Sequence, residues 1–252
     1  MRLTFLGTGT STGVPTLTCH CRVCTSTDPR DKRTRPSILV EFGGRTLVVD
    51  TTPDFRAQAL REGMERLDAV LFTHSHADHI LGLDDVRVFN FRQQQPIPIY
   101  ADARSMENIR RTFQYIFDGS YAYGGVAKLD PQVIEGPFDL ADLRVVPIPV
   151  LHGDMPILGF RFGAAGYLTD VSAIPETSLP LLDGLEVLVL DALRRKPHPT
   201  HLSIEQALNV VERVKPCRTY FTHIAHELGH EETNAWLPPH VRLAYDGLKL
   251  DF

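Results

Sequence analysis

FTHSHADHILGLDD, residues 72–85, begins where the apolar run LDAVLF ends and places three histidines and three aspartates in fourteen positions. A single histidine in a soluble chain ordinarily serves the surface or a structural hydrogen bond. The pattern HxHxDH is different. The apolar run reads as a strand, so the polar groups leave its end on a loop. Once the backbone departs from extended geometry, His74 and His76 can face one cation while Asp78 and His79 face a second. Imidazole nitrogen and carboxylate oxygen suit zinc, manganese or iron.

The same arrangement repeats along the chain. RTLVV runs into Asp50, LRVVPIPVL into His152, GYLT into Asp170, LEVLVL into Asp191 and CRTYFT into His223. Several strands therefore deliver metal-competent groups to one sheet edge, where open α/β folds bind ligands. Two closely spaced cations need a bridging carboxylate, and Asp170 is the natural bridge. His152 then completes the first site and His223 the second.

Further strands are predicted at SILVEF, PIPIY and LGFRF. Amphipathic helices are expected at about 54–63, 104–117, 175–183 and 203–214, the last capped by Ser203. Strands alternating with helices imply an α/β architecture of sheets covered by helices.

At 252 residues and 43% hydrophobic content the chain can bury a sizeable core, and with no linker or composition break it reads as a single domain over 1–252. A net charge of −5 lacks the basic footprint of a nucleic-acid-binding domain. MRLTFLGTG reads as a strand entering a glycine turn, without an export signal. No apolar run approaches the roughly 18–20 residues that span a bilayer. A cytosolic, membrane-free protein is the expectation.

Cys19, Cys21 and Cys24 lie in TCHCRVC. In a reducing compartment such a cluster points to metal before disulfide, giving a zinc-binding loop at about 18–25. Three thiolates need a fourth ligand, for which His226, His20 and Cys217 are candidates.

The order of HxHxDH at 74–79, the histidine of VLHG at 152, the aspartate of YLTD at 170 and the histidine of FTHIAH at 223 resembles the metallo-β-lactamase superfamily. The resemblance covers nearly the whole chain. It implies a four-layer αββα sandwich with two divalent ions, zinc or manganese and also iron, at one edge of the sheets. Asp50, in LVVDTTPDF, matches a position that supports the metal loop by fixing a ligating histidine. The C-x-C-x2-C with THIAH is similar to the PhnP-type phosphodiesterases, the accessory proteins of carbon-phosphorus lyase. That resemblance implies that His223 serves the active site, that His226 joins the three cysteines on a structural zinc, and that His201, in HPTHLSIEQA, is the catalytic histidine beside the metals. His198 is the competing proton donor, and Asp78 counts both as ligand and as catalytic residue.

The implied reaction is hydrolysis of a small, in some cases cyclic, phosphodiester. A hydroxide shared by the two ions attacks phosphorus and His201 protonates the leaving oxygen, while Arg194, Arg195 and Lys196 suit an anionic group. A transfer-RNA 3′ processing ribonuclease shares the GTGTSTGVPT opening but calls for a basic arm that this sequence lacks, so no stable nucleic-acid complex is expected. A thioester or other carbonyl hydrolase of the same fold is a further reading, and a non-catalytic binding module the least supported. The resemblance also suggests a homodimer. The segment 104–130, rich in aromatics and glycine, reads either as a lid or dimer contact, or as a helix packing Phe113, Tyr115 and Phe117 into the core.

Overall fold

The computed structural model describes residues 1–119 and 124–252. Two seven-stranded sheets lie face to face. The first runs, in spatial order, β14 (Lys249–Asp251), β1 (Arg2–Gly7), β2 (Ser37–Phe42), β3 (Arg45–Val49), β4 (Ala69–Leu71), β5 (Ile97–Ala101) and β6 (Leu129–Val133). The second runs β13 (Val241–Leu243), β12 (Arg218–Thr222), β11 (Val187–Asp191), β10 (Ala165–Leu168), β9 (Met155–Phe162), β8 (Leu143–His152) and β7 (Phe138–Leu140). Pairing is parallel from β3 to β6 and from β10 to β13. The carboxyl ends of β3, β4 and β5, and of β10, β11 and β12, are thereby gathered on one side of each sheet.

Alternation along β11 shows why its sequence is apolar throughout. Val187 and Val189 join Leu3, Phe5, Val49, Phe160 and Tyr167 between the sheets. Leu188 and Leu190 point the other way, onto Ile204, Ala207 and Val211. Those three belong to α6 (Ile204–Val214). On the far side, Leu6, Val48, Val70 and Phe72 pack against helical residues of α1 (Phe55–Arg61), α3 (Arg87–Gln93) and α4 (Ala103–Thr112). Strands buried on both faces carry continuous rather than alternating hydrophobicity, and the layers are those of an αββα sandwich. Shorter helices are α2 (Ala77–Ile80), α5 (Gln114–Phe117) and α7 (His230–Asn234).

Ser203 caps α6 as expected. Its hydroxyl accepts from Gln206 N and the Gln206 side-chain Oε1 accepts from Ser203 N at 2.8 Å, a reciprocal capping box.

Two expected helices differ. Over 175–183 the chain forms only a 3-10 turn at Leu179–Leu182. Pro175 and Pro180 supply no N–H, and the bonds close three residues back, Ser178 N to Pro175 O at 2.8 Å and Leu181 N to Ser178 O at 3.1 Å. The helix over 104–117 breaks at Phe113 (φ −110°, ψ 40°), whose ring is buried. Phe117 packs partly against the same cluster. Tyr115, expected in the core, is instead 40% exposed and its hydroxyl donates to Asp84 at 2.7 Å. Within the proposed lid or dimer contact, 104–130, residues 120–123 lie outside the described residues. No helix among the described residues is long and apolar enough to cross a membrane.

Candidate metal centre and active site

Three site residues stand just past strand ends with left-handed backbones: Asp50 (φ 65°), Asp170 (φ 60°) and His223 (φ 59°). This region is sparsely used by non-glycine residues and is concentrated at functional sites. Here it turns the chain sharply off the sheet edge.

The side chains assemble as two groups. His74, His76 and His152 bring one ligand atom each within 4.8 Å of one another, and so do Asp78, His79, Asp170 and His223. Asp170 also falls in such a group with His152 and His201, so its carboxylate stands between the two histidine sets, as a bridge must. His74 Nε2 and His76 Nδ1 face each other at 2.9 Å. His79 Nε2 and His223 Nε2 are buried without a hydrogen-bond partner, 3.3 and 3.2 Å from the two oxygens of Asp170. Buried lone pairs converging without donors fit cations held between them.

Each ring is oriented from behind. Asp50, fully buried, receives His79 Nδ1 at 2.8 Å and is anchored by the Thr73 amide at 2.9 Å and hydroxyl at 2.8 Å. That leaves His79 Nε2 for a metal. His152 Nδ1 donates to Thr200 O at 2.8 Å, freeing its Nε2 likewise. Such partners fix the tautomer of a ligating histidine.

Electrostatics divide the groups. Burial pushes His74 well below its usual range and lowers His76, aided by neighbouring rings, so these two are neutral donors. His79 and His223 are also buried, but facing carboxylates outweigh that cost and raise both, His223 to about 9. Burial likewise opposes the charge on Asp170, yet His223 and His79 hold its carboxyl well below the usual range. The pocket thus demands positive charge beside Asp78 and Asp170. Divalent ions would supply it and leave every imidazole neutral.

His201 lies 2.9 Å from Asp191 through Nδ1 and stacks on His223 at 4.4 Å between ring centroids. His198 is less enclosed, and its Nδ1 accepts from Thr200 N at 3.3 Å. Of the two candidates, His201 is therefore the one held against the metal group. Asp191 joins this candidate site, and the sequence marked it only by its place at a strand end; nothing there identified its partner.

The cysteine loop closes as a second candidate site. Cys19, Cys21, Cys24 and His226 bring ligand atoms within 4.8 Å of one another, and His226 Nδ1 stands 3.3 Å from both Cys19 Sγ and Cys21 Sγ. Hydrogen bonds, first from the Cys24 amide and then involving His226, lower the Cys21 thiol to about 6, whereas burial raises Cys24 to about 11. His20 is exposed and Cys217 is exposed on the loop before β12, and neither joins this group.

Residues 45–224 match the β-lactamase superfamily domain. The crystal structure of a new diphosphatase from the PhnP family superposes with a TM-score of 0.94 at 47% identity, over all of this chain and 97% of the other. An octanoyltransferase of Porphyromonas gingivalis is 41% identical over 99% of this chain but 51% of its own length. The chain spans about half the length of the curated relatives it matches. Zinc-bound PqqB from Methylobacterium extorquens shares the fold, with a TM-score of 0.81 at 21% identity over both full chains.

Proposed function

Since the chain belongs to the β-lactamase superfamily and, within it, to the PhnP family of hydrolases, we propose that it cleaves a small phosphodiester or the related P–O–P link of a diphosphate. The observation that carries this reading is His201, held by buried Asp191 at the rim of a paired His/Asp cluster. A hydrolase of an alkyl phosphoester needs a proton donor where the leaving oxygen departs, because an alkoxide leaves poorly unassisted.

Two divalent ions at His74, His76, His152 and at Asp78, His79, His223, shared through Asp170, would lower the pKa of a bound water and offset charge on the phosphoryl oxygens. The chain's own groups do the rest. Asp50 and Thr200 hold the ligating rings in one tautomer, and His201 presents Nε2 to the leaving oxygen while Asp191 keeps its proton on Nδ1. A zinc on Cys19, Cys21, Cys24 and His226 would tie the N-terminal loop to the segment that carries His223.

Purified protein reloaded with manganese or zinc should hydrolyse bis(p-nitrophenyl) phosphate, and a 2′,3′-cyclic nucleotide or a diphosphate diester should reveal the preferred bond. Turnover should disappear on chelation. Protein that holds its active-site ions yet cleaves none of these would move the assignment to a thioester or another carbonyl substrate.

A further inference from the structure

Trp236 is the chain's only tryptophan, and 42% of it is exposed. An indole in water leaves a large flat apolar surface unused, which is characteristic of recognition sites. The Arg195 guanidinium lies 4.5 Å from its ring centroid, within the cation–π range. With Ile204, Glu205 and Leu208, these two side chains line a cavity of about 290 Å³, close to the lower size of small-ligand pockets, roughly 300 Å³.

The chain path sets this cavity beside the metal edge. Arg194 pairs with Ser203 in a parallel bridge, with Ile204 N donating to Arg194 O at 3.0 Å and Leu193 N to Leu202 O at 2.9 Å. The pairing fixes Arg195 beside Ile204, three residues after His201. The turn between them brings His198 against His201, ring centroids 5.2 Å apart. Trp236 arrives from the other direction, just past α7, on the segment that follows His223 and His226.

We infer that this cavity is a nucleoside subsite, which makes the substrate a nucleoside 5′-phosphodiester or a nucleoside diphosphate derivative. A nucleobase extends the stack that the Arg195 guanidinium and the Trp236 ring beneath it already form. Ile204 and Leu208 give it an aliphatic wall, and Glu205 accepts a hydrogen bond from a ribose hydroxyl or an exocyclic amine. The same carboxylate makes the cavity unsuitable for a second bare phosphate. The phosphate joined to this nucleoside reaches toward His201 and the metal group.

The substrate class rests on the phosphoester reading; binding does not. Trp236 reports its own occupancy through fluorescence. Adenosine 5′-monophosphate should quench that emission saturably and ribose 5-phosphate should not, and Arg195→Ala should weaken the adenosine 5′-monophosphate titration. Quenching absent, or equal for both ligands, would overturn the subsite. In turnover, Trp236→Leu should raise KM for thymidine 5′-(p-nitrophenyl) phosphate about tenfold or more relative to methyl p-nitrophenyl phosphate, since a base–aromatic stack is worth roughly 1–3 kcal/mol and each 1.4 kcal/mol is tenfold. An unchanged ratio of the two KM values also overturns it. If neither ester is cleaved, the phosphoester reading alone fails, because the fluorescence titration needs no turnover.

Discussion

The Asp191 carboxylate holds His201 through one oxygen, 2.9 Å from His201 Nδ1, and the same oxygen accepts the Val171 amide at 2.7 Å. A carboxylate fixed by backbone in this way presents a single tautomer of the ring in front of it. Asp191→Asn can donate where the carboxylate only accepts, and so favours the wrong tautomer. It should lower kcat on an alkyl phosphoester on the order of 10²-fold, the low end of what general acid catalysis contributes. His201→Ala should lose far more on that ester than on a nitrophenyl ester, whose leaving group needs little protonation. Equal losses on both would remove the proton-donor role.

Asp170 faces both histidine sets, so its loss should disturb both metal positions. Asp170→Ala is expected to lose activity and to bind fewer active-site ions per chain, as measured by elemental analysis. Retention of two ions would refute the bridge.

Cys24→Ser should remove the ion of the cysteine site and, because His226 lies three residues from His223, also weaken turnover. Metal content should fall by one zinc per chain, and the melting temperature should drop by several degrees. An unchanged zinc content would show that the three thiols are only packed together.

His230 is buried and receives a hydrogen bond on Nδ1 from Arg33 at 3.3 Å. Burial first, then the charges of Arg33 and Arg30, lower its pKa to about 4. An unfolded chain protonates this ring near 6.5, so between pH 6.5 and 4 the unfolded state binds more protons and stability falls as pH falls. Between pH 7 and 4.5 the protein should lose about 1–2 kcal/mol more than the His230→Asn variant. Parallel pH profiles in thermal unfolding would show that His230 does not couple folding to protons.

All ten internal strands and the candidate metal ligands were legible for one reason: strands in the interior of a sheet are largely apolar, and the polar residue that ends each run stands out. The four strands without such runs, β6, β7, β13 and β14, are the edges of the two sheets. Half their surface faces water, as in the mixed pattern of LDPQV, and their pairing is set by tertiary neighbours rather than by local pattern. The pairing of Asp191 with His201 was illegible for a related cause. It joins residues ten positions apart through a turn whose path depends on Arg194 pairing with Ser203. The break at Phe113 reflects burial of one ring overriding a continuous helical period.

The left-handed backbones at Asp170 and His223 set selection for stability against selection for chemistry. Glycine adopts that conformation without the steric cost borne by a β-carbon, and at Asp170 it also removes a buried charge. A library of this protein screened for heat resistance in the absence of metal will therefore accumulate glycine at these two positions and discard catalysis with them. The same library screened in excess metal should keep both residues, because an ion bound only by the folded chain returns more stability than the turns withhold.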